Sequence, residues 1–501
     1  MTGVNTAQAG ARVAAHNMAN LTTEGFSRQV AHQRAATPMA TNNRAGMVGT
    51  GSEVFGIGQI RNHHLDHRFW NESPVLGRQV TTQNQLTLLQ ARFGELRLTD
   101  DGERSGFAAN FDLFFNALSD FHMEPSDPTR RNGFIQSINS MSRNVQAMAE
   151  SFVRQQSDIN REIGAMVASI NTKAEQIAGL NRQIQRQEIM GSNANDLRDQ
   201  RALLVDQMSR LANVTVTEQH VNGIDRFIVH INGHEIVSHD MVDNIRAVRR
   251  DVPLGPFDAD GLYDIVFSSG RPFNMYSQSL SGELRGLIDV RDGNSMRNPA
   301  GQVIGPADFK GIPYYKERLN HLVQIMSNAF NFGEDRLGNP IVGVIGHTTV
   351  GTGIPLFVDD NNGTADINIF NFQINPLINE DHSLLMTHDG HELDESGANV
   401  LLGFMTIREY PSLFREGTVN DFITAVQAEL GMDIKDATSF VESQSDVMMI
   451  IQNQRLSVKG VDMDEEMTNV IFFQHHFQAA SRLITIINEI YDNMINRMGV
   501  R

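Results

Sequence analysis

Cysteine is absent from the 501 residues, which excludes disulfides, thiolate zinc sites and cysteine nucleophiles. Tryptophan occurs once and tyrosine six times, against 28 phenylalanines. Flat, polar-tipped rings of the kind that stack ligands and bases are therefore scarce. Positive charge is in deficit: 41 Lys+Arg stand against 59 Asp+Glu, a net −18. Such a chain repels phosphate backbones and anionic lipid, so neither nucleic acid nor a membrane surface is expected as the main partner. No run of about 18 apolar residues offers a membrane span. The first residues, Met1 to Gln8, lack the basic and apolar regions of a Sec-type signal peptide. What remains is 40% hydrophobic, enough for a packed core. The length suggests about three domains at roughly 150 residues each.

Helical periodicity is strongest at the ends. Val4, Ala7, Ala11, Ala14 and Met18 step by 3 and 4, a heptad seam of small residues that a partner helix could approach closely. Phe473, Phe477, Ala480, Ile484, Ile487, Tyr491, Met494 and Met498 repeat the pattern, and Leu483, Ile490 and Ile495 widen the stripe. A wide apolar face needs a cover. Periodicity alone fits either a core helix or an assembly surface. The N-terminal seam stops at Met18 and is too short to cover a stripe that runs to Met498, which favours assembly.

Between the ends, Phe107, Phe111, Phe114, Leu118 and Phe121 predict one helix, and Glu124 to Pro128 break the chain. Apolar residues then keep helical spacing from Asn132 to Ile189 without a proline, predicting a helix of roughly 80 Å, long for a compact globule and suited to a rod. Leu65–Leu98 reads as a helix beside it, with Pro74 expected to kink or restart it. The middle turns to short β-type runs: Val214–Thr217, Phe227–Ile231 and Tyr263–Phe267, with Asn222-Gly223, Asn232-Gly233 and Asp260-Gly261 as turns. A helix over Ile312–Phe330 and strands around Ile341–Ile345 and Ile367–Ile374 follow, and helical pattern returns from Thr418. The expected fold is α+β: a long antiparallel helical rod or coiled coil formed by the N- and C-terminal segments, with an inserted mainly β domain and both termini at one end.

Chemical motifs are thin. His63 and His67 have metal-capable i, i+4 spacing but lack the Glu of a metalloprotease helix, so a solvated helical face is expected. Asp359-Asp-Asn-Asn-Gly363 has its Gly one place early for a calcium loop and reads as a turn. Val350–Gly353 is too short for a phosphate loop. Asp464, Glu465 and Glu466 are neighbours on a helix, face apart, and suit the positive N-terminus of the last helix rather than paired catalysis. No catalytic, cofactor-binding or metal-ligating residue is assigned, and no cofactor is expected.

Five blocks in order resemble the flagellar hook-associated protein 1 family. They are His16–Gln29, Glu124–Arg130, Asn195–Arg201, Ser281–Asp292 and Gln452–Met467. Axial proteins of the flagellum carry an Asn-Ile-Ala-Asn stretch followed by Pro-Gly-Tyr-Ser-Arg. Here Asn17 and Asn20 keep the asparagines and Gly25 the glycine, with Met18 in place of Ile, Glu24 of Pro and Phe26 of Tyr. Asn20 is expected to end the first helix and Gly25 to supply a positive φ. The block Asn195, Asp196, Asp199, Gln200, Arg201 and the acidic run Asp464, Glu465, Glu466 point to this family member. Members usually carry a further apolar helical segment before the position of Val4, so a truncated or mis-set start is expected.

The resemblance implies a non-enzymatic subunit exported through the flagellar type III channel to the extracellular flagellum, where it joins hook to filament. It implies self-association in a ring, contacts with hook protein and the second hook–filament junction protein, and a cytoplasmic export chaperone at the C-terminal region. No nucleic acid or membrane partner is implied. The implied division is 1–60 N-terminal helix and linker of the inner axial domain, 61–211 and 386–460 rod halves, 212–385 mainly β outer domain, and 461–501 C-terminal amphipathic helix. Alternatives are another axial subunit (second junction protein or flagellin-like) and, from a different class, a secreted peptidoglycan hydrolase, for which no carboxyl pair is found.

Overall fold

A computed structural model describes residues 2–40, 46–93, 106–221, 224–296, 308–350, 353–389 and 398–497. The turn expected at Asn222-Gly223 and the residue Met498 lie outside them. The chain opens with α1 (Thr2–Ala19) and a β ribbon, β1 (Gln29–Ala35), β2 (Met39–Ala40), β3 (Met47–Val48) and β4 (Ser52–Gln59), in which β1 pairs antiparallel with β4 and β2 with β3. Next come α2 (His63–Arg92), α3 (Phe107–Met123), α4 (Pro128–Ile189) and α5 (Asn195–Leu211).

Asp127 sets the start of α4. Its carboxylate accepts from Thr129 N, and Pro128 occupies the first turn, where its missing N–H costs nothing. The helix is 62 residues long, roughly 93 Å, and starts four residues before the expected Asn132 because cap and proline act together. Its buried side chains recur every three or four residues from Phe134 to Ile184. The five spaced aromatic and leucine positions of α3 are all buried, with Phe114 and Phe121 against Phe134 of α4.

Strands β5 (Val214–Val221), β6 (Ile224–Ile231), β7 (His234–Ser238) and β8 (Met241–Val242) form an antiparallel meander. β9 (Ile245–Arg249) pairs with β10 (Tyr263–Phe267). Then follow α6 (Glu283–Asp292), α7 (Ile312–Phe332), β11 (Phe357–Val358), β12 (Gln373–Ile374), α8 (Pro376–Glu380), α9 (Asn399–Arg408), α10 (Val419–Lys459) and α11 (Met463–Asp492). A capping box between Thr418 and Asp421 starts α10.

Three expectations are corrected. Ile341–Ile345 is a turn: Ile341 is buried, but Val344 N bonds back to Ile341 O and Gly343 takes φ +81. In Ile367–Ile374 the side chains of Asn368 and Asn371 bond nearby backbone N–H groups, which bends the segment, so only Gln373–Ile374 pairs as a strand. The helix from His63 runs through Pro74 as one element and lies chiefly against α10 and α6 rather than along α4. Close approach explains this. A Cβ on Gly286 would lie 2.7 Å from Arg78 O, so only glycine lets α6 and α2 meet.

One continuous apolar core runs from Trp70 to Leu430 and includes strand residues such as Val229 and Phe267 alongside α4. Residues 212–385 therefore share their core with the rod helices. Two buried ionic knots lie within it. Asp289 joins Arg78 and Arg285, and Asp292 joins Arg291 and Arg250. Burial alone would raise the Asp292 carboxyl, but the two guanidinium groups hold it below its usual range.

Candidate assembly site

α1 and α11 pack antiparallel, which brings the two ends of the chain together. A Cβ on Gly10 would lie 2.4 Å from the Phe473 ring, and one on Gly3 3.8 Å from Ala480. Seven residues back on α1 therefore correspond to seven forward on α11, the register of a heptad pair. The buried face of α1 is Thr6, Ala7, Gly10, Val13, Ala14 and Asn17. Ala7 and Ala14 belong to the expected seam, while Val4, Ala11 and Met18 are half-buried at its margin. Gly10 and the polar Thr6 and Asn17 escaped a count of apolar residues. Steric room and hydrogen bonds put them there: Thr6 Oγ1 donates to Ser52 O of β4.

On α11, Phe473, Ala480 and Ile484 are half-buried, and Phe477 is exposed. Beyond Ile484 the apolar side chains stand in solvent: Ile487 is 49% exposed, Tyr491 59%, Met494 58% and Ile495 70%. With Leu483, Ile486 and Ile490 they form a continuous uncovered stripe. No helix among the described residues is long and apolar enough to cross a membrane.

At the base of this helix pair, three of the five sequence blocks meet. Asn17 closes a two-bond ring with Gln29, its Nδ2 donating to Gln29 O (2.9 Å) and its Oδ1 accepting from Gln29 N (3.0 Å). Asn20 Nδ2 donates to His16 O at the helix end, Gly25 takes φ +83 against Leu203, and Phe26 meets His16 edge-on. The turn delivers Ser27 to Asp199, which accepts from Ser27 N (2.9 Å) and Oγ (2.7 Å). Asp196 accepts from Gln29 Nε2 (2.6 Å), and Asn195 Nδ2 donates to Ile57 O. The start of α5 thus grips the ribbon and the turn.

A chain of charges continues from there. Arg61 lies between Asp199 (3.5 Å) and Asp66 (2.5 Å); Asp66 binds Arg455 (2.8 Å), and Arg455 binds Asp206 (2.8 Å). Burial raises the Asp199 carboxyl despite the Ser27 bonds and Arg61, whereas at Asp66 the Arg61 and Arg455 groups outweigh burial and lower it. Arg28 spans the break between α10 and α11. Its N–H donates to Lys459 O, and its guanidinium takes Glu465 and Glu466, both at 2.6 Å. Asp464 stays exposed in the first turn of α11, whose cap is Asp462.

Gln200 and Arg201 face elsewhere. Gln200 is exposed, and Arg201 lies over the Phe227 ring, bonding Asn181 and Glu218 beside a cavity of about 140 Å³. Burial lowers Arg201 to about 10. Arg61, Asp66 and Asp206 were not singled out from sequence. Asp66 sits inside the His63–His67 group, whose histidines are exposed; the ion-paired residue there is the carboxylate. Asp359 accepts from Asn361 N and Gly363 N, the bonding of a turn.

Residues 97–334 match the family described as flagellar hook-associated protein FlgK helical domain, and 452–498 match flagellar basal body rod FlgEFG protein C-terminal. Flagellar hook-associated protein 1 of Bacillus subtilis (strain 168) is 25% identical, covering 98% of this chain and 96% of its own. The chain is similar to the flagellar hook-associated protein 1 family along nearly its whole length. The Escherichia coli (strain K12) member is 24% identical over 99% of this chain and 98% of its own. The flagellar hook junction protein FlgK from Burkholderia pseudomallei, a solved structure, is 21% identical with TM-score 0.41, covering 55% of this chain and 45% of that one. The first of these matches spans α3 to α7, and the second spans the end of α10 and α11.

Proposed function

We propose that this chain is a non-enzymatic junction subunit between flagellar hook and filament, outside the cell, which assembles through its terminal helices. The observation that carries the reading is the uncovered stripe from Leu483 on α11 to Ile495 just past its end, continuous with the α1–α11 seam. Copies of the chain arranged in a ring would cover it, with hook protein on one side and the second junction protein on the other. Residues 1–60 and 461–501 make the inner axial part in this reading, 61–211 and 386–460 the rod, and 212–385 the outward part. Export through the flagellar type III channel and a cytoplasmic chaperone at the C-terminal region complete the pathway.

The test is Ile487→Asp in cells. Burying an unpaired charge costs several kcal/mol, against about 1.5–3 kcal/mol gained by burying an aliphatic side chain. Hooks should be completed, the variant should reach the culture supernatant, and filament subunits should be shed. An exported variant that still builds normal filaments would remove α11 as the assembly surface.

A further inference from the structure

The core and the helix pair are joined by an unusual kind of contact. The continuous apolar core starts at Trp70 and ends at Leu430, and none of the buried residues of α1, the ribbon or α11 belongs to it. The chain crosses from core-bearing body to terminal helices at 60–62 and again at 460–462, where Gly460 ends α10 and Asp462 caps α11. Around these crossings a set of polar contacts links the two sides: Ser27 to Asp199, Gln29 to Asp196, Asn195 to Ile57 O, Arg28 to Lys459 O and to Glu465 and Glu466. Apolar contact is non-directional and tolerates sliding, whereas hydrogen bonds weaken steeply off-axis. Removing one partner of a buried charge pair is costly, because the other is left buried and uncompensated.

We infer that Asp199 and Arg28 are the positioning residues that fix the angle of the terminal helix pair on the body. Asp199 holds the α1–β1 turn onto α5, and Arg28 holds α11 onto that same turn across the break after α10. Together they tie the turn to four elements, since Asp199 also meets Arg61, and through Asp66 and Arg455 the network reaches α2 and α10. The inference rests on the assembly reading, because a fixed angle matters to a subunit whose terminal helices must meet neighbours while its body faces elsewhere.

Absence of cysteine makes the measurement direct. Ser443 on α10 and Gln478 on α11 are exposed, so Ser443→Cys with Gln478→Cys accepts two spin labels on the full chain. Pulsed dipolar spectroscopy on dilute monomer should give one narrow distance distribution. Adding Asp199→Ala and Arg28→Ala together should widen it at least twofold, while the main melting transition of the body stays in place. Exchanging charges, Arg28→Glu with Glu466→Arg in the otherwise unaltered labelled chain, should keep it narrow, and Arg28→Glu alone should widen it. A double variant as narrow as the parent, a parent already broad, or a body that melts with the joint would each overturn the inference. The readout is taken without assembly, so it holds or fails independently of the Ile487→Asp result.

Discussion

The body and the terminal helices solve the same problem, burying an amphipathic helix, to different extents. In the body, α4 finds partners along its whole length: α3 near its start, β7 and β9 and α5 further on, α6 and α7 between. Its apolar positions from Phe134 to Ile184 are closed. In α11 the only buried residue is Glu466, at the first turn, and the apolar stripe lies open. Both carry an apolar face at helical period. A covered helix and an uncovered one differ in what stands opposite, not in having an apolar face.

The sharpest break in this comparison should come from a body knot. Asp292→Ala leaves the buried Arg291 without its carboxylate and Arg250 with Asp264 alone, and removal of one partner from a buried pair costs about 3–5 kcal/mol. Denaturant unfolding should show that loss. Phe330→Ala should be of similar size, about 3–5 kcal/mol, because Phe114, Phe115, Phe357 and Phe404 all ring the cavity it leaves.

A smaller, pH-dependent effect should come from His347. It is buried, its Nδ1 donates to Ile354 O and its Nε2 accepts from Met386 N, so the neutral ring is the form that fits. Burial lowers its pKa below 6.5, partly offset by the Ile354 bond. The folded state then binds fewer protons than the unfolded one between the two pKa values. Stability is full above pH 6.5 and falls as pH drops toward the folded pKa. Urea midpoints measured from pH 7.5 to 5 should decline more steeply in the parent than in His347→Gln; equal slopes would count against this role.

The smallest effect on the body, with a large local one, should come from Gly10→Leu. Its Cβ would lie 2.4 Å from the Phe473 ring, so the ring or α1 itself must shift and the leucine loosens the pair. The main unfolding transition should move by no more than about 0.5 kcal/mol, as for changes outside the core. Limited proteolysis should trim both ends much faster than in the parent, which itself should yield a core from roughly residue 30–60 to roughly 440–460. Equal trimming rates would show that the α1–α11 pair does not protect the ends.

Local chemistry made much of this legible beforehand. The Phe107–Phe121 spacing, the Gly25 turn and the heptad stripe of α11 each follow from side chains a few residues apart, so sequence determines them. Sequence also brought the five blocks into one order, without showing that three of them touch. What tertiary structure alone decided is long-range. Gly10 and Gly286 matter because another helix passes within a methyl group of each, and Asp66 matters because Arg455 arrives from 389 residues away. Ile367–Ile374 carries strand-like residues yet bends, because two asparagine side chains satisfy its backbone locally. Periodicity records which face of a helix is apolar; which surface meets that face, and at what angle, depends on partners that only the folded chain places.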